Sequence, residues 1–277
     1  MTNERDPRNR LNDLDARAWT YALRSVISTA YPTRGAASLA HHLRRKHPSP
    51  KPPQLMAELI RFFTRRHGHI LDPFAGVGGT LIASSLEERT AVGIDLSPEY
   101  ATIYQAVCAE LGIPPQTYLV ADARHLLDLP AVHERPFDLI LTDPPYAAMM
   151  ARPKTGERRK RGRPQPTPFT TSPADLGNLP YHEFIRELSA ILSSALQVLR
   201  PDGHLVVFAK DLQPTPEHHN MLHADLVVAL RQIPGLEYRG YQIWHDQSQR
   251  LYPFGYPYTF VANQIHQFIL IFRWRGE

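Results

Sequence analysis

The stretch His69-Ile70-Leu71-Asp72-Pro73-Phe74-Ala75-Gly76-Val77-Gly78-Gly79-Thr80-Leu81 decides the fold. His69 to Asp72 reads as a short strand, and an apolar helix is predicted from Leu81 onward. Strand, glycine-rich turn and helix form the unit in which a ligand approaches backbone amides at a helix N-terminus. The dinucleotide pattern G-x-G-x-x-G fails, because counting from Gly76 its third glycine position is Leu81.

Downstream the unit repeats. Thr90 to Asp95 is a second strand, and a helix follows from Ser97 to Leu111, with Ser97 as N-cap, Pro98 at its first position and Glu99 in its first turn. Tyr118 to Asp122 is a third strand. Phe137 to Thr142 is a fourth, an apolar run that reads as buried. These strands lead into Asp72, Asp95, Asp122 and Asp143. One such aspartate is a cap or a turn residue. Four lie along one rim of a parallel sheet, and ligands bind at that rim in such folds. Asp95 stands 23 positions after Asp72, where an acidic residue accepts hydrogen bonds from ribose hydroxyls.

The fourth strand stops at Asp143-Pro144-Pro145-Tyr146. The prolines donate no backbone hydrogen bond and fix φ near −65°, and each pushes its predecessor out of the helical region. The step leaves carbonyls free between a carboxylate and an aromatic ring. Such a set suits a flat group that carries an NH2. Asp143 and the Pro144 carbonyl can each accept one N–H, and Tyr146 can stack on the ring.

The sequence Leu141-Thr142-Asp143-Pro144-Pro145-Tyr146 resembles the catalytic motif of S-adenosylmethionine-dependent amino-methyltransferases that modify adenine N6 or cytosine N4 in DNA. Asp72-Pro73-Phe74-Ala75-Gly76-Val77-Gly78 is similar to the cofactor loop of that family, and Lys51-Pro52-Pro53-Gln54-Leu55 to a Pro-containing segment of its cofactor pocket. The resemblance implies a Rossmann-like, seven-stranded α/β methyltransferase fold whose mostly parallel sheet carries a C-terminal antiparallel strand. It implies Asp143, Pro144, Pro145 and Tyr146 as the catalytic set. Cofactor contacts would come from Asp72, Phe74, Ala75, Gly76, Gly78, Thr80, Asp95 and Asp122, with Asp122 meeting the adenine amino group. Adenine N6 is favoured because Asp heads the motif. Cytosine N4, RNA as substrate and a non-catalytic DNA-binding module are the alternatives. The target base would be flipped out of DNA, and a restriction partner is possible.

Residues 1–50 read as a helical and basic extension, with a helix over roughly 12–29 from the spacing of Leu11, Leu14, Ala18, Tyr21, Ala22 and Val26. Residues 51–277 form the methyltransferase domain, with an insert at 147–180. Between Ala151 and Pro164 seven basic residues face only Glu157, an excess larger than the whole chain's net charge of +4. The basic character belongs to one loop and points to a polyanion. Lys160-Arg161-Gly162-Arg163-Pro164 resembles an AT-hook core, whose arginines enter a narrow minor groove. Arg158, Arg159, Lys160, Arg161 and Arg163 are therefore candidate DNA contacts, against the plainer reading of a solvated loop. His266, in a segment resembling one that lines the target-base pocket, is a further candidate, or else an ordinary strand histidine.

An amphipathic helix is predicted over Tyr181–Leu199, closed by a turn at Arg200-Pro201-Asp202-Gly203, with a fifth strand at His204–Ala209. A helix over Asn220–Ile233 and strands at Leu236–Trp244 and Phe260–Phe272 complete the chain. The polar start gives no signal peptide, no apolar run reaches the ~18 residues of a membrane span, and the single Cys108 forms no internal disulfide or Cys-based metal site. The expectation is a soluble, cytoplasmic protein without a metal.

Overall fold

A computed structural model describes residues 5–146, 169–170, 172–214 and 219–276. One eight-stranded sheet runs through it. Its strands are β1 (Val26–Thr29), β2 (His69–Asp72), β3 (Thr90–Asp95), β4 (Thr117–Val120), β5 (Phe137–Thr142), β6 (Leu199–Ala209), β7 (Leu236–Asp246) and β8 (His266–Trp274). The order is β1-β7-β8-β6-β5-β2-β3-β4. All neighbours are parallel except β8, which runs antiparallel between β6 and β7. This is the Rossmann-like arrangement expected, with an extra strand at one edge.

That extra strand corrects the expected N-terminal helix. Helix α1 (Ala16–Ala22) ends early, and Val26–Thr29 pairs in parallel with β7. The cause is tertiary. Gln242 of β7 donates to the carbonyls of Ala22 and Arg24 at 2.8 and 2.7 Å, and Trp244 donates to the Thr29 hydroxyl at 2.9 Å. The β-branched Val26, Ile27 and Thr29 suit an extended edge, and Ile27 is buried.

The remaining helices are α2 (His41–Arg44), α3 (Pro53–Phe63), α4 (Gly79–Leu86), α5 (Pro98–Leu111), α6 (Tyr181–Leu196) and α7 (Leu222–Leu230). Helices α3, α4 and α5 pack on one face of the sheet, and α6 and α7 on the other. Covering both faces explains why the central strands read as continuous apolar runs. The predicted turn at residues 200–203 is instead an irregularity within β6, where the register to β5 shifts. Ser97 caps α5 as expected, accepting from the Tyr100 amide, and Gly112 closes it in the left-handed region.

The chain winds from β2 through β3 to β4 in one direction, then returns to place β5 on the other side of β2. The crevice at that reversal, outside the carboxyl ends of β2 and β5, is where such sheets hold ligands. Among the described residues no helix is long and apolar enough to cross a membrane.

Candidate active site

A cleft lies at this reversal and opens to solvent. Of the twelve residues expected to form the cofactor and catalytic sets, eleven line it: Asp72, Phe74, Ala75, Gly76, Thr80, Asp95, Asp122, Asp143, Pro144, Pro145 and Tyr146. Gly78 does not. It has φ of +81°, and a Cβ there would lie 2.3 Å from the Tyr104 ring. Its bareness lets α4 start close against α5, which shapes the turn without touching the cleft.

Hydrogen bonds fix the rim carboxylates. Asp72 is buried and accepts from the Thr142 hydroxyl at 2.7 Å and the Phe74 amide at 3.1 Å. Thr142 immediately precedes Asp143, so β2 and β5 are tied together just below the Asp-Pro-Pro step. Burial pushes Asp72 up to about 6, against the pull of these donors. Asp95 accepts from the Gly76 amide at 2.8 Å and the Ser97 amide at 2.9 Å, which ties the glycine turn to β3. Burial raises it to about 6 as well. Asp122 sits on β4's exit, accepting from the Arg124 amide and guanidinium, both at 3.0 Å.

Asp143 faces the cleft beside a residue that spacing did not single out. The Lys51 ammonium donates to Asp143 Oδ2 at 2.5 Å, with side chains only 5% and 16% exposed. The Tyr146 hydroxyl donates to the other oxygen, Asp143 Oδ1. Lys51 also lies 3.4 Å from that hydroxyl and 4.9 Å from the Phe208 ring centroid. Burial drives the Lys51 ammonium down from its usual range, and Asp143 opposes the shift. Tyr146 is pushed well above its usual value by burial and by Asp143. Its ring is buried, so it supports Asp143 here rather than offering an open face. Among the described residues nothing donates to the Pro144 carbonyl.

Aromatic side chains roof the cleft. His47 packs against Tyr100 at 4.7 Å and stacks on Phe169 at 5.1 Å, and the Tyr100 hydroxyl holds the Phe169 carbonyl at 2.7 Å. Burial, with Lys51 nearby, pushes His47 down to about 4, so the imidazole is neutral at pH 7. Lys51 and His47 were missed as site residues. The one available signal was their place in the Pro-rich connector before the glycine turn.

A second cavity adjoins the first across Lys51. Gln267, Lys210, Trp244 and Asp246 line it, and Gln267 Oε1 lies 3.5 Å from the Tyr146 hydroxyl. His266 is half-buried at the start of β8, its ring edge-on to Phe268, and lines neither cavity. Arg158, Arg159, Lys160, Arg161 and Arg163 fall outside the described residues.

Together the fold and the rim of aspartates define the methyltransferase-type α/β class. Residues 4–106 match the DNA methylase family of N6/N4 enzymes, and residues 57–158 match a family described as conserved hypothetical protein 95. The type II methyltransferase M2.DpnII of Streptococcus pneumoniae is 40% identical over 58 residues, covering 21% of this chain and 22% of that protein. The tRNA (guanine(10)-N2)-dimethyltransferase of Pyrococcus abyssi is 30% identical over 102 residues, covering 37% of this chain and 30% of that protein. The chain thus spans under a third of the length of these curated relatives. NSun6 from Pyrococcus horikoshii shares the fold, with a TM-score of 0.53 and 16% identity over 82% of this chain and 53% of that one. Each of the sequence matches covers less than half of the chain, those to the DNA methylase family and the type II methyltransferases among them.

Proposed function

We propose that the protein methylates an exocyclic amine of a nucleic-acid base, with S-adenosylmethionine as methyl donor and adenine N6 of DNA as the favoured target. The observation that carries this reading is the position of Asp143. Asp143 and Pro144 line the same cleft as the glycine turn, Asp95 and Asp122. The donor set fits the cofactor: two rim carboxylates for ribose and adenine donors, a glycine turn for close approach, and an apolar, aromatic roof of Phe74, Tyr100 and Phe169. When bound, S-adenosylmethionine supplies an electrophilic methyl group.

The chain's own residues do the rest. An exocyclic amine is a poor nucleophile because its lone pair is delocalised into the ring. Accepting its two N–H groups at Asp143 and the Pro144 carbonyl favours a pyramidal nitrogen with a directed lone pair. Lys51 and Tyr146 hold both oxygens of Asp143 before any substrate arrives. The carboxylate therefore needs little reorganisation, which is electrostatic preorganisation with alignment. A base in duplex DNA must leave the stack, at a cost of a few kcal/mol.

Incubation with labelled S-adenosylmethionine and either duplex DNA or tRNA, followed by nucleoside mass analysis, tests substrate and atom together. Asp143→Ala is expected to lose at least ~10²-fold in turnover. Wild-type turnover in that variant would sink the reading. RNA is the second reading, favoured by the tRNA dimethyltransferase relative; label appearing in tRNA alone would select it. The type II relatives favour a restriction-modification setting. Calorimetry with S-adenosylmethionine separates both enzyme readings from a DNA-binding module that ignores the cofactor.

A further inference from the structure

The connection between β7 and β8 carries Tyr252, Phe254, Tyr256, Tyr258 and Phe260 at every second position. The last three are 80%, 92% and 90% exposed. Single exposed apolar side chains are ordinary, but three large aromatic side chains this exposed within five residues are the kind of cluster that marks an interaction surface. The loop has a defined shape. Asn263 clamps its base, accepting from the Tyr252 amide and donating to the Tyr252 carbonyl, each at 2.8 Å. Its tip is a tight turn in which the amides of Tyr258 and Thr259 both donate to the Gly255 carbonyl, at 2.7 and 2.8 Å. Gly255 has φ of +74°, and a Cβ there would meet the Thr259 carbonyl oxygen at 2.3 Å, so only glycine fits. The fold holds these rings in water, and no described contact covers them.

The position of the loop says what covers them. Ser248 and Gln249 at one end, and Ile265 at the other, line the second cavity, whose wall includes Lys51. That cavity carries Arg44, Lys51 and Lys210 against the single carboxylate Asp246. Arg250 begins the loop. Lys51 is paired with Asp143 and Arg44 with three backbone carbonyls, so Lys210 and Arg250 are the cations that remain beside the projecting rings, and together they suit a chain that presents phosphates and flat bases at once.

We propose that the 251–261 loop is a stacking platform for unpaired nucleic-acid bases that flank the methylated one. The inference rests on the nucleic-acid reading above, and it commits to single-stranded or locally opened nucleic acid. Stacking tolerates any base, so the loop contributes affinity and strand opening rather than sequence choice.

The test compares the full chain with Tyr256→Ala/Tyr258→Ala/Phe260→Ala. Both bind single-stranded oligonucleotides that carry 2-aminopurine, followed by fluorescence. Each lost stack weakens binding roughly tenfold, so the triple variant should bind on the order of 10²- to 10³-fold more weakly. The salt dependence should stay unchanged, because stacking releases no counterions. Aminopurine quenching should disappear, return with Tyr256→Phe/Tyr258→Phe, and leave S-adenosylmethionine binding and the melting temperature as in wild type. Wild-type affinity in the triple variant, with base methylation by wild type intact, overturns the platform alone. A wild type that neither binds nor methylates DNA or RNA overturns the platform and the underlying reading together. A wild-type dimer that becomes monomeric in the triple variant assigns the rings to self-association and also overturns the platform.

Discussion

Removing Asp143 should damage the protein in two separable ways. Lys51 is almost fully buried, and among the described residues Asp143 is its one carboxylate partner within hydrogen-bond distance, at 2.5 Å. Breaking a buried pair by deleting one member typically costs about 3–5 kcal/mol. An independent ceiling comes from titration. A lysine with an ordinary value of 10.5 can instead shed its proton at pH 7 for about 5 kcal/mol, at 1.36 kcal/mol per pH unit. Asp143→Ala should therefore lose about 3–5 kcal/mol of stability, on the order of 10 °C in melting temperature for a chain of this size. The loss carries a diagnostic sign. In the variant the folded state depresses Lys51 below its unfolded value, so the unfolded chain binds more protons between those two values. Stability of the variant relative to wild type must then rise with pH above 7, by at most ~1.4 kcal/mol per unit, until the wild-type Lys51, itself held below 10.5 by burial, begins to lose its proton too. Adding Lys51→Met removes the stranded ammonium and should recover most of the stability, with a coupling of at least about 2 kcal/mol and no recovery of methylation. Thermal or urea unfolding of the four members of this cycle at pH 7 and pH 9.5 gives the answer. An Asp143→Ala deficit below about 1 kcal/mol, flat in pH, would refute the reasoning.

Three further outcomes follow from the same geometry. Asp72 is raised to about 6, so the native state holds its proton more tightly than the unfolded chain, and this carboxylate's burial costs stability as pH climbs from about 4 through 6. Asp72→Asn, which keeps the acceptor for Thr142 and Phe74, should gain about 1–3 kcal/mol at pH 7 and nothing at pH 4, read by chemical unfolding at both pH values. Gly78→Ala forces a Cβ into Tyr104 at a left-handed φ and should cost at least ~3 kcal/mol, visible as a lost or strongly lowered melting transition. Tyr146→Phe deletes one donor to Asp143 and should lower turnover about tenfold or more while S-adenosylmethionine affinity in calorimetry stays within threefold.

What the sequence discloses follows from how far each interaction reaches along the chain. The central strands are apolar runs closed by aspartate, the helix after β3 begins at a serine cap and proline, and the glycine turn sits between them. All of these signals lie within a few residues, and they located β2, β3, β5, α5 and the rim of carboxylates. The edge strand β1 has no such local signature. Its residues keep helical spacing from Ala18 through Val26, and contacts from β7, more than 200 positions away, select the extended form: the backbone ladder and the side chains of Gln242, Trp244 and His245. Lys51 hides for the same reason. A lysine in a proline-rich connector normally points to water, and only the fold carries it to Asp143, 92 positions on. The basic stretch at 151–164 was conspicuous in composition, while the aromatic loop at 251–261 was not, because alternating tyrosine and phenylalanine also describe a half-buried strand.

This asymmetry bears on how substrate choice is divided. Under the proposed function, the locally legible residues Asp143, Pro144 and the rim aspartates would specify an amino group and a nucleoside-like donor, and any exocyclic amine would satisfy them. On that proposal, the cavity beyond Lys51, walled by Gln267 of β8, Trp244 of β7 and Lys210 just after β6, would have to reject the wrong bases by shape and by unpaired polar groups. Such a wall discriminates strongly only where it hydrogen-bonds the correct base. Gln267 presents an amide to that cavity beside the Tyr146 hydroxyl. Its donor and acceptor pattern, rather than Asp143, is where adenine, cytosine and guanine would be told apart.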